Sequence, residues 1–187
     1  MPHSKRLCVF CGSSAPSERY GEAAAQLGRL LGESGIELIY GGGRVGLMGL
    51  LADAALAAGA RVTGIIPATL HDREIAHPGL QELVVVGDMQ ERKRAMFDRA
   101  DAVAILPGGL GTLDEAFEAI TLRQLHMIDL PIVLIDVEGF WQPLLKLIDH
   151  VVGAGFAASN THDLYRVVSR VEDAIPDGFD RDFAPKA

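Results

Sequence analysis

Between Pro107 and Glu115 the chain reads Pro-Gly-Gly-Leu-Gly-Thr-Leu-Asp-Glu, its glycines lying just after an apolar run and just before a helical pattern. Glycines placed there let backbone N–H groups close on an anion, while the positive end of the following helix dipole faces the same spot. Phosphate binding is the chemistry this suits. Thr112 and Glu115 also have the spacing of a capping box, which would close the N-terminus of a helix starting near Leu113. Capping leaves Gly108, Gly109 and Gly111 unexplained, so a ligand turn is the stronger reading.

Two more turns share this character, Cys11 to Ser14 and Gly41 to Gly46. The second fits G-x-G-x-x-G through Gly41, Gly43 and Gly46, with a strand pattern before it and a helical one after it. The acidic ribose clamp of a dinucleotide site is missing: the next strand ends Ile65-Ile66-Pro67, and Asp53 falls within a helix. That argues against NAD or FAD and leaves close packing as the plain role for these glycines. Neither turn ends in the Gly-Lys-Ser/Thr that grips a triphosphate, which argues against ATP hydrolysis.

A charged cluster, Glu91-Arg92-Lys93-Arg94, opens another helical pattern. Consecutive cations near a helix N-terminus oppose its dipole and cannot share one face. Either they form a solvated face, or at least one turns toward the strand ends and meets a phosphate or carboxylate. Cys8 and Cys11 have C-x-x-C spacing but no further ligands at zinc-site intervals, so a buried strand cysteine followed by a loop cysteine is expected. His71, His77, His126, His150 and His162 form no H-E-x-x-H pair, and no metal is expected.

The elements that must position these residues alternate along the chain. Strands are expected at Leu7–Phe10, Glu37–Tyr40, Arg61–Ile66, Leu83–Val86, Ala102–Leu106 and Ile132–Ile135, with a weaker one at Tyr165–Val168. Helices are expected at Glu18–Ser34, Leu47–Ala58, Met89–Arg99, Leu113–Gln124 and Trp141–Val152. Right-handed crossovers then give an α/β fold, a Rossmann-like doubly wound parallel sheet with helices on both faces and ligands beyond the strands' carboxyl ends. The 187 residues suit a single domain of this kind, 1–187, with a loose tail from about 176. The irregular stretch Ala68 to Gly79 is long enough to suggest a functional loop.

Composition narrows the partners. Seventeen Lys and Arg against 25 Asp and Glu leave a net charge of −8, which argues against broad nucleic-acid binding. No apolar run approaches the roughly 18 residues of a spanning helix, and Met1–Arg6 lacks the pattern of a signal peptide, so no membrane insertion and a cytoplasmic location are expected.

Taken together, PGGLGTLDE at Pro107–Glu115, ERKRAM at Glu91–Met96 and YGGGRVGLMG at Tyr40–Gly49 resemble the LOG family, the cytokinin riboside 5'-monophosphate phosphoribohydrolases, whose members were often mislabelled lysine decarboxylases. The likeness runs from about Leu7 to Val152. It implies hydrolysis of the N-glycosidic bond of a nucleoside 5'-monophosphate, of the N6-modified AMP type, to free base and ribose 5-phosphate without a cofactor. Arg92 and Glu115 match the family's catalytic arginine and glutamate. Gly109, Leu110, Gly111, Thr112, Leu113 and Asp114 match its phosphate- and ribose-binding turn, and Gly108 just before them is also expected to bind substrate. Lys93, Thr121 and, in the long loop, Glu74 correspond to further substrate contacts. Met89, followed by Gln90 where the family commonly has histidine, is expected beside the base, with Ser13 and Gly43 completing the site from the other two turns. The resemblance also implies a homodimer with sites near its interface.

Breaking an N-glycoside builds positive charge on the sugar, so a carboxylate at the anomeric carbon stabilises the transition state and can orient or deprotonate water. Glu115 is the candidate. Arg92 would fix the substrate and keep Glu115 ionised, its planar fork binding oxygen pairs directionally. Two alternatives remain at this point. A true lysine decarboxylase needs a Schiff-base lysine, and of Lys5, Lys93, Lys146 and Lys186 only Lys93 lies near the proposed site. A non-enzymatic nucleotide or cofactor carrier needs the glycine turn but has no use for the Arg92–Glu115 pair.

Overall fold

The computed structural model describes residues 4–71, 76–175 and 179. Glu74 and nearly all of the expected tail lie outside the described residues. Apolar runs at β1 (Arg6–Phe10), β2 (Glu37–Tyr40), β3 (Val62–Pro67), β4 (Glu82–Val86), β5 (Ala102–Ile105), β6 (Ile132–Ile135) and β7 (Arg166–Val168) form one sheet in the order β4-β3-β2-β1-β5-β6-β7. Every described strand pairing is parallel. The inner strands are apolar at nearly every position because both faces are covered, which is what parallel sheets require.

Alternate residues serve two cores. Leu7, Val9, Leu38, Tyr40, Ala102 and Ala104 point to one face, beneath α1 (Glu18–Glu33) and α2 (Gly46–Ala57). Cys8, Phe10, Ile39, Val103 and Ile105 point to the other, beneath α4 (Met89–Arg99), α5 (Leu110–Gln124) and α6 (Gln142–Gly153). Small residues let α1 and α2 pack tightly: a Cβ at Gly28 would stand 2.3 Å from the Leu51 carbonyl oxygen. Each fully buried leucine in these layers, such as Leu27 or Leu51, contributes roughly 1.5–3 kcal/mol. Burial on two faces therefore holds the strand ends, and with them the three glycine turns, in fixed relation.

The strand order reverses at β1. From there the chain runs outward through β2, β3 and β4, then crosses back to lay β5 against the other side of β1. The turns after β2, β1 and β5 consequently stand side by side at one edge, with the topological switch point between the last two. They are stitched by backbone bonds: the Gly12 N–H donates to the Pro107 carbonyl at 3.1 Å, and the Leu47 N–H to the Gly12 carbonyl at 3.1 Å.

Two sequence expectations need correction. Helix α5 begins at Leu110 rather than Leu113, with Gly109 as its N-cap, so Thr112 lies inside the first turn and no capping box forms there. The free amides of that turn thus belong to the glycine segment itself. The stretch Ala68 to Gly79 is partly regular, opening with a single helical turn, α3 (Ala68–His71), while Ala76 forms an isolated antiparallel bridge with Gly43. Its far end is pinned by His77, which is buried, bonds Asp53 of α2 through Nε2 at 3.0 Å and accepts the Gly79 N–H on Nδ1 at 3.1 Å. No helix among the described residues is long and apolar enough to cross a membrane.

Candidate active site

The first glycine of the Pro107–Glu115 segment is there for the fold. A Cβ at Gly108 would fall 2.1 Å from Thr112 Oγ1 and 2.9 Å from the Gly12 nitrogen. Gly109 and Gly111 are different: a Cβ on either meets nothing within 4 Å, and neither has positive φ. Gly111 even sits inside a helix, where glycine costs about 1 kcal/mol relative to alanine. Packing therefore accounts for neither glycine, and both face open space at the α5 N-terminus.

Arg92 reaches the same place from α4. The helix tolerates its cations because Asp88 caps it, accepting the Glu91 N–H at 2.8 Å, and Glu91 in turn accepts the Gly87 N–H at 2.7 Å. Arg92 turns inward and is only 4% exposed. Its Nε donates to the Ile65 carbonyl at 3.0 Å and its Nη2 to the Gly41 carbonyl at 2.6 Å, so the ends of β3 and β2 aim the guanidinium. Gly41 has to be glycine for this, since a Cβ there would lie 2.1 Å from Nη2. The G-x-G-x-x-G turn therefore seats an arginine and packs on the first turn, where Gly46, at φ +59°, abuts the Ser13 backbone.

Arg92 and Glu115 line one cleft of about 220 Å³ together with Ser13, Met89 and the Gly109–Thr112 segment. Glu115, 9% exposed, comes from the second turn of α5. Its charge reaches beneath the cleft. Burial first, then Glu115, pushes the Cys8 thiol well above its ordinary range. The Cys11 thiol is likewise raised by burial and by Glu115, with Arg92 opposing. Tyr40 is raised by burial, then by Cys11 and Asp53, again against Arg92. Cys11 is thus a neutral wall of the cleft, and among the described residues its charged lining side chains are Arg92 and Glu115.

The other expected residues divide. Lys93, one position and about 100° around the helix from Arg92, faces away and ion-pairs with Asp114 at 2.8 Å and with Glu118. Burial opposes its charge, but the bonds and charges of both carboxylates outweigh it and hold the ammonium above the usual lysine range. Lys93 and Asp114 therefore tie α4 to α5 and do not line the cleft. Leu113 packs on the core beside them, Thr121 is exposed farther along α5, and Gly43 bridges to Ala76. Sequence reasoning counted the Cys11–Ser14 turn among the site's turns without singling out Cys11 and Gly12, and it missed Met48 and Leu70 as cleft walls and the Ile65 and Gly41 carbonyls as guides for Arg92. Backbone acceptors leave no side-chain signal. Among the described residues no group of three or more His, Cys, Asp or Glu is placed to hold a metal ion.

Replacing Lys93 with methionine should cost about 1 kcal/mol of stability, modest because Asp114 is largely exposed, and leave kcat near the native value. Because the folded pKa of Lys93 is raised, its contribution is complete below the unfolded lysine pKa and fades as pH climbs through the folded one. Urea midpoints of the two proteins should converge only in strong alkali.

A parallel sheet with a glycine turn at its switch point, and a buried arginine and glutamate in the cleft above, defines a protein of Rossmann-like fold. Solved structures of this shape include the molybdenum cofactor binding protein of Rippkaea orientalis (TM-score 0.71, 22% identity, 94% of this chain and 96% of that one). Another is the molybdenum cofactor carrier protein of Chlamydomonas reinhardtii (TM-score 0.68, 21% identity, 93% and 95%). At such identity they speak to the fold alone. Residues 48–177 match the family described as possible lysine decarboxylase. The chain is 43% identical over 180 residues to cytokinin riboside 5'-monophosphate phosphoribohydrolase LOG1 of Arabidopsis thaliana, spanning 92% of this chain and 84% of that protein. It is 46% identical over 160 residues to the probable enzyme LOGL1 of Oryza sativa subsp. japonica, spanning 85% and 72%. The chain belongs to this family, the LOG phosphoribohydrolases. The decarboxylase description finds no support in the cleft, since a Schiff-base lysine must reach the substrate, whereas Lys93 is ion-paired with Asp114 and Glu118 and does not line it.

Proposed function

We propose that this protein hydrolyses the N-glycosidic bond of N6-modified adenosine 5'-monophosphates, cytokinin riboside 5'-monophosphates among them. Water is consumed, and the free base and ribose 5-phosphate are released. The observation that carries this is the shared cleft of Glu115, Arg92 and the open glycine segment. The 5'-phosphate rests on the amides at the start of α5, which places the sugar near Glu115. As the base departs, the carboxylate faces the positive charge growing on the anomeric carbon and orients the water that replaces the base. Arg92, its Nε and Nη2 occupied by carbonyls, presents a fixed charge that steadies the ribose. A carrier would need the turn but not a buried carboxylate beside it.

Incubation with AMP, N6-isopentenyl-AMP and the matching nucleosides, followed by chromatography for free base, tests the reading. Monophosphates should react and nucleosides should not, because phosphate binding orients the reacting centre. Equal rates with nucleosides would remove the phosphate anchor, and no base from any monophosphate would end the hydrolase assignment.

The glycine turn makes its own prediction. Gly108→Ala should destabilise the fold by about 1–3 kcal/mol through overpacking against Thr112. Gly109→Ala and Gly111→Ala should fold normally yet raise KM for AMP about tenfold, the scale of one displaced anion contact. Denaturant midpoints and KM, measured side by side, separate the two effects.

We also infer a homodimer in a reducing, cytoplasmic setting. Leu110, Phe117 and Leu125 leave apolar surface along α5, and Met127 extends it. Cys8 and Cys11 are both free thiols. Light scattering should return twice the 20.0 kDa chain mass, and charged substitutions at Phe117 and Leu125 should halve it.

A further inference from the structure

A second cavity, of about 240 Å³, opens beside the cleft at the same switch point. It shares Gly12, Ser13 and Gly109 with the cleft but contains neither Arg92 nor Glu115. It therefore adjoins the end of the site where the phosphate rests and is remote from the end where the glycosidic bond breaks.

Its walls have a different chemistry. Tyr20, Phe140, Leu47, Pro16 and Pro107 supply apolar and aromatic surface, Ser14 adds a hydroxyl, and no charged side chain among the described residues lines it. Tyr20 meets Phe140 edge to face, with ring centroids 5.9 Å apart, and Phe140 meets Trp141 in the same way at 5.0 Å. The segment that presents Phe140 is held against α1 by the Arg19–Glu138 ion pair, and Glu138 adopts φ +54°, a left-handed conformation unusual for a residue with a side chain. An uncharged aromatic pocket whose rim is a phosphate-binding turn fits a group joined to the nucleotide through that phosphate.

Resting on the phosphate placement proposed above, we infer that this cavity is a subsite for an uncharged aromatic substituent on the 5'-phosphate. The ligands of this protein then include nucleoside 5'-phosphodiesters as well as monophosphates. The phosphodiester bond takes no part in the reaction: water still replaces the base at the anomeric carbon, and the sugar product keeps its esterified phosphate.

The probes are AMP and its methyl and phenyl 5'-phosphodiesters, with binding measured by calorimetry and base release by chromatography. The phenyl ester should bind at least about tenfold more tightly than the methyl ester, the scale of placing one ring against aromatic walls. Tyr20→Leu removes an aromatic wall, and Pro16→Trp fills the cavity from its exposed rim. Both should erase the phenyl preference while leaving AMP affinity within about twofold. A phenyl ester that binds no better than the methyl ester, or a preference that survives both substitutions, overturns the subsite. If instead the phenyl preference holds but AMP yields no free base, the hydrolase reading fails and the subsite stands.

Discussion

Glu115→Gln is expected to lower kcat for AMP hydrolysis by about 100-fold or more while KM and the unfolding temperature stay close to native, because glutamine keeps the shape and loses only the charge. Glu115 is 9% exposed and shares its cleft with the neutral Cys11 thiol and the fixed Arg92 guanidinium. In so dry a place a full negative charge acts strongly on a sugar becoming cationic, and an amide dipole cannot replace it. A kcat loss with intact KM is the signature of a contact made chiefly in the transition state. Near-normal turnover in the glutamine variant would show that Glu115 does not serve the reacting carbon. A loss expressed only in KM would make it a binding group.

Arg92→Lys is expected to cost a comparable factor in kcat/KM, about 100-fold, although the charge is kept. The guanidinium holds the Ile65 and Gly41 carbonyls through two nitrogens and still presents a cation to the cleft. A lysine is shorter and its donors diverge from one nitrogen, so the two bonds are not kept in their present directions, and weakening either costs about 1–3 kcal/mol of stability. Gly41→Ala offers an independent check, because its Cβ would intrude to 2.1 Å from Nη2 and displace the guanidinium without changing any charge. It should reproduce most of the activity loss. If Arg92 and Glu115 act on the same transition state, the double variant Arg92→Lys/Glu115→Gln should lose much less than the product of the single losses. Full additivity, or a Gly41→Ala variant with native rates, would separate Arg92 from the chemistry.

Both substitutions concern residues whose types were visible in the chain, but their surroundings were not. The Pro107–Glu115 segment announced an anion turn because glycines between a strand and a helix have few other uses, yet the same letters allowed a capping box. The structure decided for a helix that starts at Leu110, with Gly109 as cap and Thr112 buried under Gly108. Local spacing could not separate these, since the choice depends on the close approach of Gly12, in the turn after β1, almost 100 positions away.

The sequence by itself determined the alternation of strands and helices, hence a parallel sheet covered on both faces, and placed three glycine turns at one sheet edge. Apolar runs, helical periodicity and glycine are local properties, readable residue by residue. Only the tertiary structure decided that Arg92 faces the cleft while Lys93 ties α4 to α5, that Gly41 is the seat of an arginine, and that Gly109 and Gly111 face open space at the start of α5. Neighbours on a helix point about 100° apart, and which direction is inward is set by the packing of α4 on the strand ends, a contact between segments distant in the chain.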